Sequence, residues 1–370
     1  MRDGRLVFSA SLTYRLNNLR SKKLTMTPAR PGRIASIDFC RVIAVFAVIM
    51  IHTKPFMRDL FPSAGWRLPE YIFNQPARFA VPFFFMVAGY FLGKTLAAKD
   101  RWAKVARYER RLLVLLVAWS ILYTLIPSFW PHLQQMGYQQ LTFAKIQQLL
   151  AAPLHLIFQG AKVHLWFLPA LMLGVLLLAL CVQGGRTLPA VVVAVLLFVF
   201  GLLGGSYSVT PIGFHVPFST RDGPFVSMIC LTIGYLFQTK KTVCSPVQAL
   251  LVSAAGLLLQ VLETWMLWKY FEVPWLAHDF LIGTVLTAAG LLLFALAAPN
   301  LGRRSKLESL GKYTLGVYAC HYLFVDALGP LTYLFELHIW QLLFPLLVYL
   351  LSVALTGVLA RQPWLKALVA

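Results

Sequence analysis

The chain has 370 residues, of which 59% are hydrophobic and only 12% charged, with a formal charge of +20. Soluble domains run about 45–50% apolar and about 25% charged, so this composition excludes an ordinary soluble enzyme and places the chain in the membrane class. The positive charge is no sign of nucleic acid, which needs a basic face on a soluble module; polytopic membrane proteins carry Lys and Arg in their cytoplasmic loops.

Residues 1–33 hold eight basic residues and are Arg/Ser-rich and acid-poor, in the manner of a transit peptide, but lack the apolar core of a secretory signal. Met26 offers a second sensible start, so residues 1–33 are expected to be a basic cytoplasmic tail. From there, apolar runs near the length that crosses about 30 Å of hydrocarbon recur. They cover 34–52, 79–97, 112–130, 164–182, 188–205, 224–238, 247–268, 279–298, 313–330 and 341–360. The runs are long, unalternating and rich in Leu, Ala and Val, which favours helices over strands. The expected fold is all-α, a polytopic membrane protein with about ten transmembrane helices and cytoplasmic N- and C-termini. Residues 34–361 form the membrane domain and 362–370 a cytoplasmic tail.

The loops test this count independently. With the N-terminus inside, alternate gaps hold 24 basic residues on the cytoplasmic side and eight outside, and Arg41 lies within a helix. A missed span would scramble that alternation. Residues 131–163, rich in Gln and interrupted by Pro153, are expected to form an interfacial or re-entrant piece on the outer side. The five cysteines are scattered, which supports neither a disulfide framework nor a zinc site, and no metal is expected.

Ionisable residues inside a membrane are costly and are functional candidates by default. Arg41 sits within the first span and His52 closes it eleven residues later, about 16 Å along a helix and close to three turns, so both share a face. A cation there can hold a phosphate or a pantetheine carbonyl, and the imidazole can take a proton from a hydroxyl. The plainer reading is that Asp38, three residues before Arg41, neutralises it, and that His52 is an interfacial residue.

Four stretches together resemble the acyltransferase type 3 membrane family. They are Ile37-Asp38-Phe39-Cys40-Arg41 through Met50-Ile51-His52, Asn74 through Tyr90, His164-Leu165-Trp166-Phe167-Leu168-Pro169, and Leu310 through Tyr318 followed by His321. Ala88 stands where the family often has Ser, which puts any hydroxyl role there in doubt. The resemblance implies transfer of an acyl group, most often acetyl, from cytoplasmic acyl-CoA to a hydroxyl of a surface or periplasmic glycan.

It further implies His52 as general base or acyl carrier, and Arg41 as the residue that orients the donor or stabilises the thioester oxyanion. Arg78, His164 and His321 become candidates for the acceptor. Arg110 and Arg111 become candidates for the CoA phosphates, although the positive-inside pattern alone accounts for them equally well. No bound cofactor is expected, acyl-CoA being a substrate. The partners are the lipid bilayer, acyl-CoA and a glycan or lipid-linked sugar, in the bacterial cytoplasmic membrane. The competing reading is a transporter or exporter of an anionic or glycan substrate, which would put its polar groups at the bilayer midplane rather than at the rim. A non-catalytic assembly protein has no positive feature in its favour.

Overall fold

The computed structural model describes residues 34–55, 68–127, 129–303, 305–331 and 338–369. The basic segment 1–33 lies outside the described residues. Every regular element among them is helical. In chain order these are α1 Ala35–Thr53, α2 Leu68–Ala77, α3 Ala80–Leu96, α4 Arg101–Leu125, α5 Trp130–Ala151, α6 Pro153–Gln159, α7 Phe167–Cys181 and α8 Leu188–Leu203. They continue with α9 Pro224–Thr239, α10 Pro246–Phe271, α11 Ile282–Ala297, α12 Lys306–Leu310, α13 Thr314–Leu328 and α14 His338–Arg361.

Each expected apolar run falls on a helix, but the lengths differ. Five helices are long and apolar enough to cross a bilayer, or six if the bent pair α4–α5 is one span. The helices α8, α9 and α11 are apolar but shorter, at 16 residues each. The run expected over 112–130 departs most. Its helix begins early, at Arg101, and stops at Leu125, because Pro127 forces Ile126 out of the helical region (φ −114°, ψ 83°). The chain then turns by 92° into α5, whose described side chains are all solvent- or lipid-accessible. Pro153 ends α5 in the same way, with Ala152 at φ −130° and ψ 67°.

Other helix starts follow local chemistry. Proline occupies the first turn of α8, α9 and α10, where its missing N–H costs nothing. Ser245 and Gln248 form a reciprocal capping box at the head of α10, at 3.1 and 2.9 Å.

Small residues set the packing. A Cβ on Gly89 of α3 would strike the backbone of Leu231, and one on Gly234 of α9 would strike the backbone of Met86. The two helices therefore cross backbone to backbone, as closely packed membrane helices do. Helix α1 lies inside the bundle against α3, α11, α13 and α14. A Cβ on Gly311 would sit 2.7 Å from the Asp38 Cβ, so the turn leading into α13 rests on the first turns of α1. The segment expected as a C-terminal tail folds back instead. Trp119 Nε1 donates to the Leu368 carbonyl at 2.8 Å, and Val369 is buried beside Gly316.

Candidate active site

Three histidines from three distant segments meet at one end of α1. His52 lies in its last turn, His164 in the 3-10 turn Val163–Trp166, and His321 in the middle of α13. Ring centres are 5.2 Å apart for His52 and His321, 4.9 Å for His164 and His321, and 6.4 Å for His52 and His164. Tyr322 touches all three, at 4.9 Å from His52, 5.3 Å from His321, and stacked on His164 at 4.9 Å. Among the described residues no group of three or more His, Cys, Asp or Glu is arranged to hold a metal ion.

The hydrogen bonds assign the tautomers. His164 Nε2 lies 3.2 Å from the Ala319 carbonyl, and His321 Nδ1 lies 2.6 Å from the Tyr318 carbonyl. A carbonyl only accepts, so each of those nitrogens carries the proton, and the opposite ring nitrogen presents a lone pair. Those two lone pairs, on His164 Nδ1 and His321 Nε2, are buried without a partner among the described residues. A buried acceptor left unpaired is costly, so the cluster is poised for an incoming hydroxyl or N–H.

The surroundings are polar and braced. Tyr123 Oη donates to the Ala319 carbonyl at 2.8 Å, and Tyr318 Oη donates to the His164 carbonyl. Lys162 Nζ lies 2.5 Å from Asp326 Oδ2 and 4.8 Å from the Tyr322 ring centre, so this pair ties the His164 turn to α13. Arg221 spans Asp222 (3.2 Å) and Asp279 (3.0 Å), with its guanidinium 5.3 Å from the Trp166 ring. Trp166 also packs on Phe85, at 6.3 Å. It is thus part of the site wall as well as a candidate belt residue.

Arg41 stands at the other end of α1. Its guanidinium meets Asp38 at 3.2 Å and the Phe91 ring at 5.3 Å, so the local ion pair is formed. Arg41 and Arg111 both lie within electrostatic reach of Tyr108, and Arg110 and Arg111 are both exposed on α4. Arg78 makes its hydrogen bonds to other partners. It donates to Asn74 Oδ1 and to the Leu276 carbonyl, both at 2.9 Å, and so clips the start of α3 to the 272–281 loop. There, burial and the Arg78 cation push His278 down to about 4. Of the seven residues singled out in the sequence, the fold therefore gathers His52, His164 and His321. Arg41 and Arg111 lie together at the far end, Arg110 is on the same helix as Arg111, and Arg78 is held by Asn74 and the Leu276 carbonyl.

Lys162, Arg221, Tyr322 and Asp326 were not singled out. Asp326 did carry a signal, being an acid inside an apolar run, which demands a partner. Lys162 and Arg221 fall among the outer-loop cations, and nothing in the local pattern marks Tyr322.

Residues 34–361 match the family profile described as an acyltransferase domain, nearly the whole chain. The chain belongs to the acyltransferase type 3 family. Among curated proteins, the chain is 30% identical over 241 residues to a serine/alanine racemase of Enterococcus gallinarum, covering 60% of this chain and 32% of that protein. It is 27% identical over 304 residues to an amino-acid racemase of Enterococcus faecalis, covering 78% of this chain and 40% of that protein. The chain thus spans about a third to two fifths of the length of the curated relatives it matches. No solved structure matches the chain.

Proposed function

We propose that this protein is a multi-pass O-acyltransferase of the bacterial cytoplasmic membrane, moving an acetyl group from cytoplasmic acetyl-CoA to a hydroxyl of a surface or periplasmic glycan. The reading is carried by the imidazole cluster, with two buried, unpartnered ring nitrogens at one end of α1 and a guanidinium at the other. His52 acts as the base that takes the proton of the attacking hydroxyl, and His164 and His321 accept from other hydroxyls of the acceptor and so align it. Arg41, with Arg110 and Arg111, takes the donor's phosphates. The rise from Arg41 to His52, about 16 Å along the helix, is then bridged by the extended pantetheine arm. Arg78 acts on the acceptor by holding the 272–281 loop.

The orientation rests on the ten-span reading, with both termini inside. The basic run Lys94–Arg111 shares the Arg41 end, which the positive-inside rule makes cytoplasmic. That puts the histidines at the outer rim. A transporter is the less fitting class, because its binding groups belong at the midplane, often at broken helices. Racemisation is not proposed, since the match covers only a minor part of the proteins named for it.

The test is acyl transfer in inverted membrane vesicles with labelled acetyl-CoA. His52→Ala is expected to abolish labelling of glycan, and Arg41→Ala to raise the acetyl-CoA KM at least tenfold. Unchanged labelling in both variants refutes the mechanism. Reporter tags after Ala98 and after Gly160 should face opposite sides of the membrane, and the same side for both would refute the orientation.

A further inference from the structure

Acyl transfer from a thioester needs more than a base. As the hydroxyl oxygen attacks the carbonyl carbon, the carbonyl oxygen becomes an oxyanion, and a fixed donor aimed at it contributes a large part of the acceleration. Arg41 cannot be that donor for a reaction at His52, since the two are about 16 Å apart along α1. Lys162 and Arg221 are nearer, but their charges are engaged by Asp326 and by Asp222 and Asp279. The hydroxyls around the cluster are also spent. Tyr123 and Tyr318 donate to backbone carbonyls, and Thr53 donates to the Ile49 carbonyl at 2.9 Å.

Tyr322 differs. Its ring is held on every side, stacked on His164, 4.9 Å from His52, and beside the Lys162 ammonium at 4.8 Å. Its side chain is only half-buried, so a substrate can reach it, and its hydroxyl makes no hydrogen bond among the described residues. The Lys162 ammonium beside the ring and the Arg221 guanidinium within electrostatic reach favour negative charge next to the phenol, and the Asp326 carboxylate opposes it.

We propose that Tyr322 is a further catalytic residue, whose phenol donates a hydrogen bond to the thioester carbonyl oxygen as that oxygen becomes an oxyanion. This rests on the acyltransferase reading above, with His52 as base. In the step, the acceptor oxygen bonds to the carbonyl carbon and its proton passes to His52. The tetrahedral intermediate then collapses, the C–S bond breaks, and its electron pair leaves with sulfur. His52 returns the proton to the thiolate, giving the glycan ester and free CoA thiol. Tyr322 keeps its own proton throughout.

Tyr322→Phe isolates the hydroxyl, because the ring and its stacking survive. With labelled acetyl-CoA and native membranes as acceptor source, turnover at saturating donor should fall about 100-fold, the effect of losing one oxyanion donor. The acetyl-CoA KM should stay within about threefold of wild type, and the melting temperature in detergent should not move. Tyr322→Phe with turnover within about threefold of wild type overturns the proposal and leaves the ring a packing element. In case the Phe variant folds poorly, 3-fluorotyrosine at position 322 gives a stronger donor of nearly the same shape. It should raise turnover about twofold, and unchanged turnover overturns the proposal. His52→Gln run alongside separates the two levels. An active His52→Gln variant, or no transfer by wild type, means the acyltransferase mechanism itself has failed. An inactive one beside a fully active Tyr322→Phe means that only the role of Tyr322 has.

Discussion

Breaking the Lys162–Asp326 pair should do more damage than removing it. The two side chains are 25% and 18% exposed and 2.5 Å apart, and they join the His164 turn to the helix that carries His321. Exposed pairs are worth about 0–1 kcal/mol, whereas breaking a fully buried pair costs about 3–5 kcal/mol. A pair about one-fifth exposed falls between, so Asp326→Asn should cost about 2 kcal/mol, mostly for stranding the ammonium beside the Tyr322 ring. Lys162→Met takes the ammonium from Asp326, which keeps a further interaction, and should cost less, about 1 kcal/mol. The double variant Lys162→Met/Asp326→Asn carries neither charge of the pair and should recover at least about 1 kcal/mol of the summed losses. The measurement is thermal or denaturant unfolding of detergent-solubilised protein for all four members of the cycle, with acyl transfer in parallel. Activity should fall in both single variants, because His164 and His321 lose their shared brace. A double variant whose loss equals the sum of the singles would show that the two residues are uncoupled, and would refute this account.

Three other outcomes follow from the packing and the electrostatics. Gly234→Val drives a side chain into the Met86 backbone, so it should cost at least about 3 kcal/mol or prevent folding, read as loss of monodisperse protein. Tyr123→Phe removes only the bond to the Ala319 carbonyl and should cost about 1 kcal/mol in unfolding while leaving turnover within a few-fold of wild type. His278, held down at about 4, is neutral in the fold but takes a proton near 6.5 once unfolded, so stability is lost as pH falls from about 6.5 toward 4. Unfolding at pH 7 and pH 4.5 should show His278→Gln losing clearly less stability on acidification than wild type; an equal loss would remove His278 as the cause.

The sequence alone determined the helical membrane class of this protein and pointed to its candidate site residues. Apolar run length placed the helices, because a backbone in hydrocarbon has few other ways to satisfy its hydrogen bonds. Arg41 and His52 were readable as a pair because eleven residues of helix put both on one face. The break at Leu125 was legible in principle from Pro127, since a residue preceding proline leaves the helical region, yet the apolar run continued past it and hid the 92° turn.

Only the tertiary structure decided which residues meet. His52, His164 and His321 are separated by more than a hundred residues from one segment to the next, so no local pattern relates them. Their convergence depends on α13 resting along α1 from Gly311 at Asp38 to His321 at His52. The same packing brought Lys162 to Asp326, laid Tyr322 on His164 and held Arg78 to the Leu276 carbonyl. Periodicity tells which face of a helix is apolar. It carries no information about which polar group another helix will set against that face, because that is chosen by close contacts such as Gly89 on Leu231 and Gly311 on Asp38.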